Sequence, residues 1–122
     1  MHITYAMVRD DLPGIIATKG GDFKYEVPPG GTCLYVDKGA PSCLIGHYLI
    51  DLGFPVEAFA ALEGTGVESL FHEEQYKEIM ASHGFTADPE AVYAMGKVQD
   101  LQDNEYYWGD AYSNVFEPDI DE

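Results

Sequence analysis

At Pro41 the spacing of apolar residues changes, and the change divides the chain into two kinds of structure. Before it, short apolar and β-branched runs alternate with turn-like residues: "HITYAMV" (2–8), "RDDLPG" (9–14) and "GIIAT" (14–18). "DFKYEV" (22–27) sets Phe23, Tyr25 and Val27 against Lys24 and Glu26, the period of a half-buried strand. "TCLYV" (32–36) reads as the next strand, with "PPGG" (28–31) and "DKGAP" (37–41) as breaks. After Pro41 the pattern is helical. "GAPSCLIGHYLIDLGFP" (39–55) predicts a helix with Pro41 near its first turn, Gly53 as its stop and Pro55 blocking continuation. "PVEAFAAL", "VESLFHEEQYKEIMASHG" and "WGDAYSNVF" predict three more. Another opens at Asp88 as N-cap with Pro89 at the first helical position, and carries the stripe Ala91, Met95, Val98, Leu101. The expected fold is α+β: a small N-terminal antiparallel sheet of three or four strands, followed by four or five short helices packed on one face. Residues 1–116 read as a single α+β domain and 117–122 as an acidic, mobile tail.

The chain has 122 residues, of which 46% are hydrophobic and 13% aromatic, so it is expected to bury a core. No run of 18 apolar residues occurs, which predicts no membrane span. The first residues, "MHITYAMVRDDLPG", lack the basic start and long apolar core of a secretory signal, so the expected location is cytoplasmic. Cys33 and Cys43 are then expected to be thiols, although in an oxidising compartment the two could bridge.

Six basic residues face 22 acidic ones, for a net charge of −16. The imbalance grows along the chain. Residues 1–40 carry four bases and five acids (−1), 41–97 two and nine (−7), and 98–122 none and eight (−8). Such a field repels nucleic acid and anionic membrane and favours basic partners, although solubility alone also accounts for it.

Three constellations bear on chemistry. Cys43 and His47 are one helical turn apart and lie off the face formed by Leu44, Ile45, Tyr48, Leu49 and Leu52. A cysteine in a first helical turn beside an imidazole suits a nucleophile. The same pair suits a second packing face against the Cys33 strand, with Gly46 allowing close approach. Cys33, Cys43 and His47, with His2, His72 or His83, could form a metal-stabilised module, but the spacing matches no usual zinc pattern, and no metal or cofactor is expected. The third is "QDNEYYWGDAY" (102–112). Together with Asp100, it gathers Asp103, Glu105, Tyr106, Tyr107, Trp108 and Asp110 into an aromatic and acidic segment. Tyrosine and tryptophan supply contact area while carboxylates steer basic partners. Trp108 and half the tyrosines could equally be core.

Two segments, "TCLYVDKGAPSCLIGHYLIDLG" (32–53) and "VQDLQDNEYYWGDA" (98–111), are similar to a family of uncharacterised small proteins from actinobacteria and their phages. The second matches a Q-x-x-Q-D…W-G-x-A pattern at Gln99, Gln102, Asp103, Trp108, Gly109 and Ala111. The family carries a glycine near the position of Glu105. The resemblance implies a bacterial or phage cytoplasmic setting and no particular activity. The sequence thus favours a non-enzymatic acidic accessory protein that binds a host or cellular protein, with a DNA-mimic inhibitor as the sharper version. A cysteine-dependent enzyme and a metal-stabilised module stand as alternatives. The partner is expected to be a protein, basic or DNA-binding, with no direct nucleic acid and no membrane.

Overall fold

The structure is a computed structural model that describes residues 1–25, 34–37 and 39–117. In chain order it contains β1 (His2–Ile3), α1 (Tyr5–Ala17), β2 (Val36–Asp37), β3 (Ala40–Pro41) and α2 (Leu44–Asp51). A 3-10 helix (Val56–Ala61), α3 (Val67–His72), α4 (Glu74–Ser82), β4 (Thr86–Ala87), α5 (Pro89–Asp103) and α6 (Trp108–Phe116) follow. Helix accounts for 61% of the structure. The expected N-terminal sheet of three or four strands is not what forms, and the fold is mostly helical rather than α+β. Among the described residues there are two sheets of two strands, each strand two residues long. β1 pairs in parallel with β4, His2 opposite Thr86 and Ile3 opposite Ala87, and β2 and β3 form an antiparallel hairpin.

The largest correction is α1. "HITYAMV", "RDDLPG" and "GIIAT" fold after Thr4 as one helix, with Thr4 Oγ1 accepting from the Met7 N–H at 3.2 Å as an N-cap. Val8, Leu12 and Ile16 recur every four residues and are all buried, so the apolar pattern is helical across the expected turn. Pro13 lies inside the helix, where a proline costs about 3 kcal/mol because it cannot donate to the carbonyl four residues back. That carbonyl belongs to Arg9, and the Tyr112 hydroxyl of α6 donates to it at 2.6 Å. The missing helical bond is thus replaced from another helix. Elsewhere in the expected sheet, Lys24 makes one isolated antiparallel bridge to Tyr107, and Val36 is the one described residue of "TCLYV" found in a strand. "PPGG", Cys33 and the tail beyond Glu117 lie outside the described residues.

α5 is the central helix, with α1, α2, α3 and α6 packed on it. Asp88 caps it as expected, its Oδ1 accepting from the Ala91 N–H at 2.8 Å. Ala91, Val92, Ala94, Met95, Gly96, Val98, Gln99 and Gln102 are buried, which leaves Glu90, Tyr93, Lys97 and Asp100 on a narrow outward strip. The two buried glutamines reach sideways. Gln102 Oε1 accepts from the Leu44 N–H at 2.8 Å, and Gln99 Oε1 from the Val67 N–H at 2.9 Å. These are the first residues of α2 and α3, whose own N-cap residues, Cys43 and Gly66, supply no side-chain cap. α5 therefore supplies an acceptor to the first N–H of each of two neighbouring helices.

α2 begins at Leu44, three residues beyond Pro41, and stops at Gly53, whose φ of +107° lets Gly53 and Phe54 donate to the carbonyls of Ile50 and Leu49. On its far side Gly46 meets the backbone of Tyr35: a Cβ there would stand 2.2 Å from the Tyr35 carbonyl oxygen. The expected single helix over 67–84 is broken at Glu73, where the chain is extended. An unbroken helix would continue the buried Val67, Leu70, Phe71 face through Glu74 and Glu78. The break shifts the phase, so that Tyr76, Ile79 and Met80 turn inward instead.

Gln102→Leu should destabilise the fold by about 1–3 kcal/mol, because it leaves the buried Leu44 N–H without an acceptor; denaturant unfolding measures this. Tyr112→Phe should cost about 1 kcal/mol in the native chain. In a Pro13→Ala background that cost should shrink, since the alanine N–H restores the helical donor to the Arg9 carbonyl. A double-mutant cycle without such coupling would contradict the exchange of partners.

Candidate functional site

The aromatic and acidic segment expected to bind a partner spans the end of α5, a short loop and the start of α6. Asp100, Glu105 and Asp110 are exposed, as are Tyr106 (40%) and Tyr107 (45%). Glu105 occupies the position after the α5 C-cap with φ of +69°, a conformation that disfavours side chains with a Cβ. Its N–H and that of Tyr106 close the helix on the carbonyls of Gln102 and Leu101. A glycine would fit this place without strain. Asp103 is half-buried. Burial pushes its carboxyl above the usual range, with Asp100 adding to the rise, while the Gln102 amide donating to it at 2.9 Å opposes it.

Trp108 is not on this surface. It is fully buried, edge-on to Phe23 (4.6 Å) and His47 (5.7 Å), and its backbone N–H donates to the Phe23 carbonyl. Gly109 donates to the Gly21 carbonyl, so the 21–23 segment caps α6 with main-chain oxygens. The Tyr107 ring carries Lys24 Nζ at 5.2 Å, which occupies its face with a cation of the same chain.

Cys43 and His47 do lie on successive turns, the His47 N–H bonding to the Cys43 carbonyl. Cys43 is the N-cap residue of α2 and is completely buried, which suits packing and gives a substrate no access to its sulfur. His47 is half-buried against Trp108; burial lowers its pKa, and the Lys19 charge lowers it further. The other histidines are apart. His2 Nδ1 is 2.8 Å from Thr86 Oγ1, His83 stands edge-on to Phe54, and His72 is exposed. Among the described residues no group of three or more His, Cys, Asp and Glu could hold a metal ion, and no helix is long and apolar enough to cross a membrane.

The structure also presents a groove that the sequence pattern did not reveal. Tyr5 of α1, Glu90, Tyr93 and Ala94 of α5 and Val115 of α6 enclose about 330 Å³. A second hollow of about 240 Å³ continues along Tyr93, Lys97, Leu101 and Asn114. The two share Tyr93 and Val115. Beside them Phe116 packs against both Tyr5 (5.3 Å) and Tyr112 (4.8 Å). The signal for this groove was Tyr93, an aromatic residue off the predicted stripe and 61% exposed.

Asp103→Asn should stabilise the protein at neutral pH, since asparagine still accepts from Gln102 and carries no charge at the negative end of α5. The folded-state pKa of Asp103 is raised, so its ionised form disfavours the fold above that pKa, and the penalty lifts as pH falls toward the unfolded value of about 3.9. The advantage of the variant should therefore fade on acidification, as thermal unfolding across pH would show. Compared with models of protein families, with curated proteins and with solved structures, the chain matches none.

Proposed function

We propose that this chain is a non-enzymatic acidic accessory protein that binds a basic protein partner through its C-terminal helical surface. The supporting observation is how little of its charge is neutralised internally. Eighteen acidic residues lie among the described residues (22 less Glu26, Asp119, Asp121 and Glu122), yet these form one ion pair, the exposed Arg9–Asp10 contact at 2.9 Å. The remaining field acts outward, where it accelerates association with cations and weakens with salt. Occupation of a DNA-binding protein's groove is the sharper form of the same proposal and draws on the same helix-borne carboxylates. A bacterial or phage cytoplasmic setting belongs to it as well, on the sequence resemblance alone.

Immobilised protein exposed to bacterial extract at low ionic strength should retain a small set of basic proteins. These should be released as salt rises to about 1 M, where the screening length falls to about 3 Å. Duplex DNA should displace them if the sharper form holds. Retention of no basic or DNA-binding protein would overturn the proposal.

A further inference from the structure

We propose that the groove between α1, α5 and α6 takes the apolar face of a basic amphipathic helix from the partner, which rests on the binding role proposed above. The groove has the dimensions for this. Its α5 wall runs from Pro89 to Leu101, about 18 Å at 1.5 Å per residue, or roughly three helical turns. Its lining is mixed: Tyr5, Ala94, Leu101 and Val115 are apolar, Glu90, Lys97 and Asn114 are polar, and Tyr93 projects as an exposed aromatic of the kind that anchors interfaces. An amphipathic helix meets such a groove with residues three and four apart.

Charge selects the occupant. Residues 89–117, which form α5, the loop and α6, carry six acids (Glu90, Asp100, Asp103, Glu105, Asp110, Glu117) and one base (Lys97), a net of −5. The groove itself carries Glu90 and Lys97, and the other five acids of this segment lie outside its lining, so lysine or arginine on an incoming helix would be drawn by the net field of the two helices and would pair directly with Glu90. A second copy of this chain would bring −16 against −16, and a nucleic acid would be repelled in the same way. Of the exposed tyrosines of the loop, Tyr107 already carries Lys24 on its face, and Tyr106 does not line the groove. Tyr93 has no such cation over it among the described residues.

The test uses a labelled synthetic peptide of about 18 residues with leucines at positions i, i+3, i+4 and i+7 and lysines elsewhere. A scrambled peptide of the same composition is the control. Fluorescence polarisation should show the amphipathic peptide binding at least about tenfold tighter than the scrambled one. Tyr93→Ala, an exposed change whose unaltered melting temperature confirms the fold, should weaken binding about tenfold. Tyr106→Ala should change it less than about twofold. Amide shift changes should centre on Tyr5, Ala94 and Val115. Equal binding of the two peptides, or sensitivity to Tyr106 and not to Tyr93, would overturn the groove while leaving the acidic binding role standing. Failure of both peptides to bind would overturn the groove and the acidic binding role together.

Discussion

Two glutamine side chains, one helical turn apart on α5, hold the arrangement of helices together. A buried amide without partners is costly, and a helix N-terminus without acceptors is too. Gln99 and Gln102 resolve both costs at once by meeting α3 and α2 at their first N–H groups. The consequence is registration. Rotating or sliding α5 against either neighbour would strand an amide and an N–H together, whereas apolar contacts alone would tolerate the slip. The line continues from Gln99 to the Tyr35 hydroxyl and from there to the Thr65 carbonyl. Tyr35 is also the residue whose backbone lies on Gly46. One polar path therefore links α5, α3 and the segment that packs against α2.

Elements whose ends are marked by their own residues were legible in the sequence. Asp88 and Pro89 opened α5, Gly53 and Gly84 closed α2 and α4, and the spacing of Trp108, Ala111, Tyr112 and Val115 fitted α6. α1 was not legible, because its decisive fact is remote. Pro13 and Gly14 signal a turn locally, and the hydroxyl that makes Pro13 tolerable comes from a residue 103 positions beyond Arg9. The break at Glu73 was hidden in the phase of the apolar residues rather than in any glycine or proline. Gln99 and Gln102 were visible as a pair, but nothing in their spacing said that they would cap other helices.

The candidate surface was legible in part for a related reason. Counting acids located the charge, since charged side chains in this chain have almost nowhere to go but outward. Counting aromatics did not separate anchors from core, because that depends on neighbours. Trp108 is taken inside by Phe23 and His47, Tyr48 by a hydrogen bond to Asp11, and Tyr93 is left outside by the packing of four helices around α5. The Cys43–His47 pair, which suggested reactivity on a helical wheel, sits where α2 is covered on both sides.

The pairing of β1 with β4 bears on the order in which the chain folds. Residues 2–3 meet residues 86–87, and α1 packs on α5 and α6 as well as on α2, so most partners of the first seventeen residues lie in the last third of the chain. The pairs α3 with α4 and α5 with α6 close over short connections, and loop-closure entropy favours them early. During synthesis α1 emerges long before most of the surface that will cover Val8, Leu12 and Ile16. Its interior proline then keeps that apolar stripe from forming a persistent helix on its own. The residue that makes α1 hard to recognise also ties that helix to Tyr112, whose hydroxyl takes the place of the missing N–H.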